Sequence, residues 1–384
     1  MTTSERIRKR YREIYNTSPR LFRSPGRINL IGEHTDYNNG FVLPAGVDKA
    51  VYFAIEKRQD DQVELWAADL GESYRFDLDN LARPPMEWPL FQLSVLDQLK
   101  KKGLKTGGFQ VVFGGDIPAG AGMSSSAALE CCLLFALNEL FELGLDRMEI
   151  VKMAQAAENE YVGVNCGIMD QFASVFSKQG SVIRLDCQNL DYTYFPFELP
   201  GYSLVLCDTT VKHSLASSAY NTRRRECETG VALLKKYAPG IASLRDVQIS
   251  LLEQHRDELG ETVFRRCHYV VSEIRRVEEA SELLLKGDAI SFGRKMFETH
   301  EGLRHDYEVS CDELDFLVRR ARSIPGVAGA RMMGGGFGGC TLNLVQTEAV
   351  DAFEESVKKS YFTTYGKELP CYRVQLDDGT RELD

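Results

Sequence analysis

The strongest constraint on the fold is a run of permissive backbone between two well-patterned elements. Phe109-Gln110-Val111-Val112-Phe113 reads as a strand, and the apolar stretch from Ala127 to Phe141 reads as a helix. Between them, residues 114–126 hold four glycines, one proline and three serines in thirteen positions. Glycine lets main-chain N–H groups turn inward and lets an anion come close, and a helix start favours negative charge. Gly120, Ala121, Gly122, Met123, Ser124, Ser125 and Ser126 are therefore candidates for a phosphate cradle. No lysine follows the glycines, so the loop is not of the Walker type. The other reading is a flexible strand-to-helix turn with a serine cap.

A second stretch carries unusual charge for its apolar frame. Residues 21–40 cluster their apolar side chains in strand fashion and end on Asn39-Gly40, a turn signal. Within them stand Arg27, Glu33, His34 and Asp36, four ionisable groups in ten residues. A half-buried strand seldom carries so many unless they line a polar pocket. Glu, His and Asp together suit a metal, but no second His sits at helical spacing. Sugar hydroxyls need the same acceptors and donors. A charged hairpin edge facing water is the third reading.

Further on, Arg147 to Tyr161 reads as a helix with Glu158 near its end, and Asp170 falls close to the start of another. There Asp170 is either a capping residue or a carboxylate favoured by the helix dipole. Val47–Lys57, Gln62–Ala68, Ser181–Leu185 and Tyr202–Cys207 read as strands, Met86–Lys102 as a helix beginning near Trp88, and residues 229–325 as mostly helical without evident chemistry. Ala330 to Met333 and Thr341 to Val345 read as a hairpin around a glycine-rich loop.

Several function classes are excluded. The net charge of −10 argues against broad binding to nucleic acid or an anionic membrane. The first twenty residues are polar, so no signal peptide is expected, and no apolar run reaches about 18 residues. Ten scattered cysteines without a Cys-x-x-Cys fit reduced thiols in a cytoplasmic protein. His255-Arg256-Asp257 lacks the Asn and Asp-Phe-Gly of a protein kinase, and Gly334-x-Gly336-x-x-Gly339 lacks the βαβ setting of a dinucleotide fingerprint. His300 and His305, five apart, are not placed to share a zinc ion. Arg223-Arg224-Arg225 precedes Glu226 and Glu228 and reads as a solvated helix face.

Three motifs together resemble a known family. Gly-Arg-Ile-Asn-Leu-Ile-Gly-Glu-His-Thr-Asp-Tyr-Asn at 26–38 is similar to the N-terminal signature of galactokinases. Pro118 to Ala128 looks like the phosphate motif of the wider galactokinase, homoserine, mevalonate and phosphomevalonate kinase superfamily, and Gly334 to Cys340 like its C-terminal glycine motif. The resemblance implies an α+β fold in two domains, residues 1–198 and 199–384, with the active site in the cleft between them.

It further implies transfer of the γ-phosphoryl of MgATP to the C1 hydroxyl of α-D-galactose, the first committed step of the Leloir pathway. On this likeness Asp170 matches the catalytic aspartate and Arg27 the cation beside it. Glu33, His34, Asp36, Gly167 and Tyr220 hold the sugar, the last in the stretch Val211 to Tyr220. Residues 120–126 hold ATP, with Ser126 and Glu158 placing Mg2+. Trp88 stands where the family uses an aromatic beside adenine, but Trp88-Pro89-Leu90-Phe91 departs from the usual motif, so a core or interface role stands beside that one.

The expected partners are galactose and ATP, with no nucleic acid or membrane, in a monomer. A kinase for N-acetylgalactosamine, galacturonate or arabinose is the near alternative. A non-catalytic sensor is the distant one, because such relatives have lost residues from the serine-alanine run that is complete here at Ser124-Ser125-Ser126-Ala127-Ala128.

Overall fold

A computed structural model describes residues 1–211 and 216–384. The chain opens with helix α1 (Thr3–Tyr15), started by a capping box between Thr2 and Glu5. Strands β1 (Arg20–Asn29), β2 (Phe41–Val42), β3 (Pro44–Lys57), β4 (Gln62–Ala67) and β5 (Glu72–Asp77) follow. Helix α2 (Leu90–Lys101), strand β6 (Phe109–Gly115) and helix α3 (Ser125–Phe141) come next, then α4 (Arg147–Ala157) and α5 (Met169–Phe176). Strands β7 (Ser181–Asp186), β8 (Tyr192–Pro196) and β9 (Tyr202–Asp208) lead to a helical stretch: α6 (Ala216–Leu234), α7 (Ile249–Gln254), α8 (Arg256–Leu285), α9 (Ala289–His305) and α10 (Asp312–Arg322). The chain closes with β10 (Val327–Met332), β11 (Cys340–Gln346), α11 (Val350–Tyr365), β12 (Cys371–Val374) and β13 (Arg381–Leu383).

Among the described residues three sheets form. The largest runs β13-β1-β3-β6-β4-β5, antiparallel except for the β4–β6 pair. Helices α2 to α5 cover one face, with Phe53, Leu65, Val111, Leu134, Ala154 and Phe172 in a shared core. Ile7 and Tyr11 of α1 cover the other face against Leu21, Ala54 and Val112. The second sheet, β10-β11-β9-β12, packs on α10 and α11 through Val205, Leu317, Ala330 and Phe353. The third, β2-β7-β8, is a small ledge.

What joins the two halves is itself an apolar core. Ile28, Leu30, Leu43, Ala121 and Met123 from the first half meet Leu206, Val277, Met333, Cys340 and Leu342 from the second. Burial of that area drives the halves together and brings the glycine loop of each to one seam. The proposed boundary at 198/199 is crossed once more near the end of the chain. Asp377 N–H donates to Gly46 O, Thr380 N–H to Ser174 O, and β13 pairs with β1.

Two elements differ from the sequence-based expectation. The 21–40 stretch is a strand only to Asn29, because Gly32 at φ +97 and His34 at φ +64 turn the chain out of the sheet. The expected helix through Tyr161 ends as α-helix at Ala157, and Glu158–Val162 forms a π-turn. Such single turns recur at functional sites.

Candidate active site

The site is built on β1. Between Pro25 and Arg27 the β1–β3 register slips, and the bulge aims Arg27 across the seam. The Arg27 side chain is 4 % exposed. Its Nε and Nη2 donate to Asp170 Oδ1 and Oδ2, both at 2.8 Å, and its Nη1 donates to Gly122 O at 2.6 Å. One guanidinium thus fixes the carboxylate and the glycine loop to each other, with the two-pronged geometry that Lys lacks. Burial opposes the charge on Arg27, but Asp170 and Glu33 outweigh it and its pKa ends above the ordinary value. Asp170 is the second residue of α5, and Ser124 Oγ also donates to its Oδ2.

Next to this pair lies a cavity of about 130 Å³ lined by Arg27, Glu33, His34, Asp36, Gly167, Asp170 and Tyr220, with Glu158, Gly334 and Gly335 at its margin. All seven side chains or backbones expected there from the sequence are brought together. Glu33 is buried, and one oxygen, Oε1, accepts from Arg331 Nη2 and from Gly334 N–H, each at 2.7 Å. Asp36 is buried beside it, and burial first, then the charge of Asp170, pushes its carboxyl up to about 7. Gly167 is fixed by close approach: a Cβ there falls 1.9 Å from Asp36 Oδ2. The Tyr220 ring, on α6, lies 5.3 Å from His34 and 5.5 Å from Tyr37. Residues 212–215 of the resembling stretch lie outside the described residues.

The turn bearing Glu33 and His34 is gripped from behind by α8. Gly32 N–H donates to Glu273 Oε1 at 2.9 Å, and Tyr269 Oη donates to Glu33 O at 3.1 Å. A carboxylate with 0 % exposure at Glu273 is tolerated because Thr299 and Arg276 also donate to it.

The phosphate loop reaches α3 through Ser124, which takes the left-handed conformation at φ +54. The opening N–H groups of α3 have no intrahelical acceptor and point at the seam. Gly334 and Gly339 of the second glycine motif close over it, their added Cβ atoms lying 3.3 Å from Gly122 O and 3.5 Å from Gly120 O. Ser126 Oγ donates to Glu158 Oε1 at 3.0 Å, and Gln171 Nε2 donates to Glu158 Oε2 at 2.8 Å. Burial, then Asp170, raises the Glu158 carboxyl to about 7. A buried carboxylate short of positive charge beside a hydroxyl in the first turn of α3 fits a hard oxygen-seeking cation. Ser126 and Glu158 are the residues that would hold magnesium.

Trp88 stands apart from this cavity. It precedes α2, donates through Nε1 to Glu72 at 2.7 Å, and lies 5.7 Å from Phe113 near the end of β6. Arg331, Gln171 and Glu273 were not singled out from the sequence as site residues. Arg331 and Glu273 belong to elements that read as ordinary strand and helix; an ionisable residue in an apolar strand hinted at Arg331, and nothing local marked Glu273 among the charges of its helix.

Comparison with known proteins gives the family and the fold. The sequence matches the family profiles "Galactokinase galactose-binding signature" over residues 9–57, "GHMP kinases N terminal domain" over 91–178 and "GHMP kinases C terminal" over 280–363. It is 40% identical over 380 residues to a galactokinase of Roseiflexus sp. (strain RS-1), spanning 99% of this chain and 97% of that one. A galactokinase of Lactiplantibacillus plantarum is 39% identical over 389 residues and the full length of both. Among solved structures, Lactococcus lactis galactokinase complexed with galactose superposes with a TM-score of 0.95 at 35% identity, covering 100% of each chain. Methanococcus jannaschii mevalonate kinase, at TM-score 0.64 and 17% identity over 94% of this chain and 99% of that one, shares the two-domain α+β fold.

Proposed function

The chain belongs to the galactokinase family of kinases, and from that premise we propose that it moves the γ-phosphoryl group of ATP to the C1 hydroxyl of α-D-galactose, releasing galactose 1-phosphate and ADP. The observation that carries the reading is the Arg27–Asp170 pair, set between the carboxylate-lined cavity and the α3 start. Phosphoryl transfer asks for positioning and charge stabilisation more than for covalent chemistry. Asp170 accepts or orients the C1 hydroxyl proton, and Arg27 keeps that carboxylate aimed while adding a fixed positive charge. The α3 N–H groups and residues 120–126 receive the phosphates. Magnesium carried with the nucleotide supplies charge neutralisation on the phosphate oxygens. Ser126 and Glu158 orient on that side of the cleft, and Trp88 is our candidate beside adenine. The mostly buried, unpaired cysteines support a reducing cytoplasmic setting, and we assign the enzyme as a monomer. A coupled ADP-release assay with galactose and a panel of related sugars tests the reading; no release with any of them removes it.

The magnesium assignment has its own test. Ser126→Ala and Glu158→Gln each delete one oxygen ligand or its charge, so the magnesium concentration for half activity should rise several-fold in both. Overlaying magnesium titrations in the two variants and the parent would take both residues out of the metal site.

Sugar choice rests on Asp36. Galactose differs from glucose in its axial O4, and a buried acceptor left unpartnered costs about 1–3 kcal/mol, so glucose should lose roughly 5- to 160-fold per lost contact. We assign Asp36 to O4, with Glu33 and His34 at the O6 end. Asp36→Ala should then lower kcat/KM steeply for galactose and little for 4-deoxygalactose, until the two converge. A variant that still prefers galactose as strongly as the parent shifts O4 recognition to another residue.

A further inference from the structure

Behind the cavity runs a chain of buried polar groups that the reaction as described does not use. His34 Nδ1 lies 2.8 Å from Tyr37 Oη, which lies 2.7 Å from Tyr307 Oη, which in turn lies 3.2 Å from Cys227 Sγ. The four residues come from the β1–β2 turn, the segment after α9, and α6, so the chain ties three elements at one point. His34, Tyr307 and Cys227 are at most 4 % exposed. His34 lines the cavity, and its other nitrogen, Nε2, has no more than a weak contact with the Gly335 main chain.

Each hydroxyl donates once, so the chain runs in one of two directions. If His34 donates through Nδ1, the protons point toward Cys227 and Nε2 is a bare acceptor. If the thiol starts the chain, they point toward His34 and Nε2 carries the proton. Three facts favour the second direction. A neutral imidazole nitrogen accepts well and a thiol sulfur poorly, so the chain gains by ending at His34. Burial drives the His34 pKa down to about 4, so the ring is neutral and holds one proton to place. That proton is drawn to the cavity side, where the neighbouring Glu33 carboxylate opposes the cost of burial.

We propose that Tyr37 is a positioning residue, whose hydroxyl donates to His34 Nδ1 and so fixes the ring in the tautomer that offers Nε2–H to the sugar. The partner of one ring nitrogen sets the state of the other. The consequence is specific to this cavity. Glu33 accepts from Arg331 and Gly334, and the Arg27 forks are spent on Asp170 and Gly122. A sugar hydroxyl needs a donor as well as acceptors, and His34 supplies it only in this tautomer.

The inference rests on the galactose reading, but its first readout does not. Long-range 1H–15N correlations of the uniformly labelled protein report the protonated nitrogen of each of the six histidines, with His34 assigned from the signal missing in His34→Gln. The parent should show Nε2 protonated and Nδ1 bare. In Tyr37→Phe that pattern should collapse toward a mixture of tautomers, with galactose Kd weaker by about tenfold and KM for ATP unchanged. Tyr307→Phe keeps the Tyr37 hydroxyl and should keep the parental tautomer, with a smaller change in Kd.

A parent with Nδ1 protonated overturns the proposal, because the chain then runs the other way, as does a Tyr307→Phe spectrum that switches tautomer, which would mean that Tyr37 alone does not fix the ring. A Tyr37→Phe protein with parental tautomer and parental Kd overturns it too. Should Tyr37→Phe fail to fold, the parent and Tyr307→Phe spectra decide. Should the folded parent bind no galactose, the functional reading falls while the spectra still judge the tautomer.

Discussion

Asp170→Asn should lower kcat by at least about 100-fold, the lower end for a positioned acid–base group, with galactose affinity changed far less. The carboxylate takes two hydrogen bonds from Arg27 and one from Ser124. Asparagine keeps the shape but offers one acceptor where there were two, and its NH2 meets a donor. On the proposed reading the C1 hydroxyl then has no anion to orient it, while Glu33 and Asp36, assigned to the far side of the sugar, are untouched. Steady-state kinetics with a galactose titration separates the two effects, and a melting curve checks the fold. Near-parental turnover in a folded variant would remove Asp170 from the mechanism.

The second large effect lies farther from the chemistry. Arg331 is 0 % exposed and Glu33 2 % at their side chains. Besides Glu33, Arg331 donates through Nη2 to Asn29 O at 2.6 Å and through Nε to Leu30 O at 3.0 Å. Arg331→Met strands a buried carboxylate and three carbonyls, Met332 O being the third, so unfolding free energy should fall by about 3–5 kcal/mol. Galactose KM should rise with it, because Glu33 leads the sugar turn. Arg331→Lys should recover little, since an ammonium cannot serve three acceptors in one plane. Glu33→Gln combined with Arg331→Met should be more stable than Arg331→Met alone, because the uncompensated charge is gone. Urea unfolding of the parent, Arg331→Met, Glu33→Gln and the double variant measures this; additive losses in the double variant would mean the pair is not coupled.

How much of this was legible in the sequence depended on whether the signal was local. The strand, glycine loop and helix at 109–141 were readable because their residues neighbour one another in sequence and in space. The crowding of Arg27, Glu33, His34 and Asp36 was readable as a polar pocket for the same reason. What held these groups was not. Arg331 meets Glu33 across the seam between the halves, and Glu273 grips Gly32 from a helix that shows only surface-like charge patterning. Hydrogen bonds across hundreds of residues leave no periodicity to read. Glu158 was placed on a helix because its π-turn keeps helical spacing, and β13 was too short to announce a strand.

That last strand has a consequence for how the protein is made. β1 carries Arg27 and is paired on one side by β3, but its other side is completed only by Arg381–Leu383. On a ribosome adding about 5–20 residues per second, the strand that aims the cleft waits on the order of 20–70 s with one edge open. An open edge is a template for a neighbouring nascent chain. Nature's usual deterrent is present: Arg20 puts charge at the exposed end, and it later closes on Glu382 of the arriving strand at 2.7 Å. Crowded polysomes, rather than heat or denaturant, are where losing β13 should first show, as aggregation during synthesis.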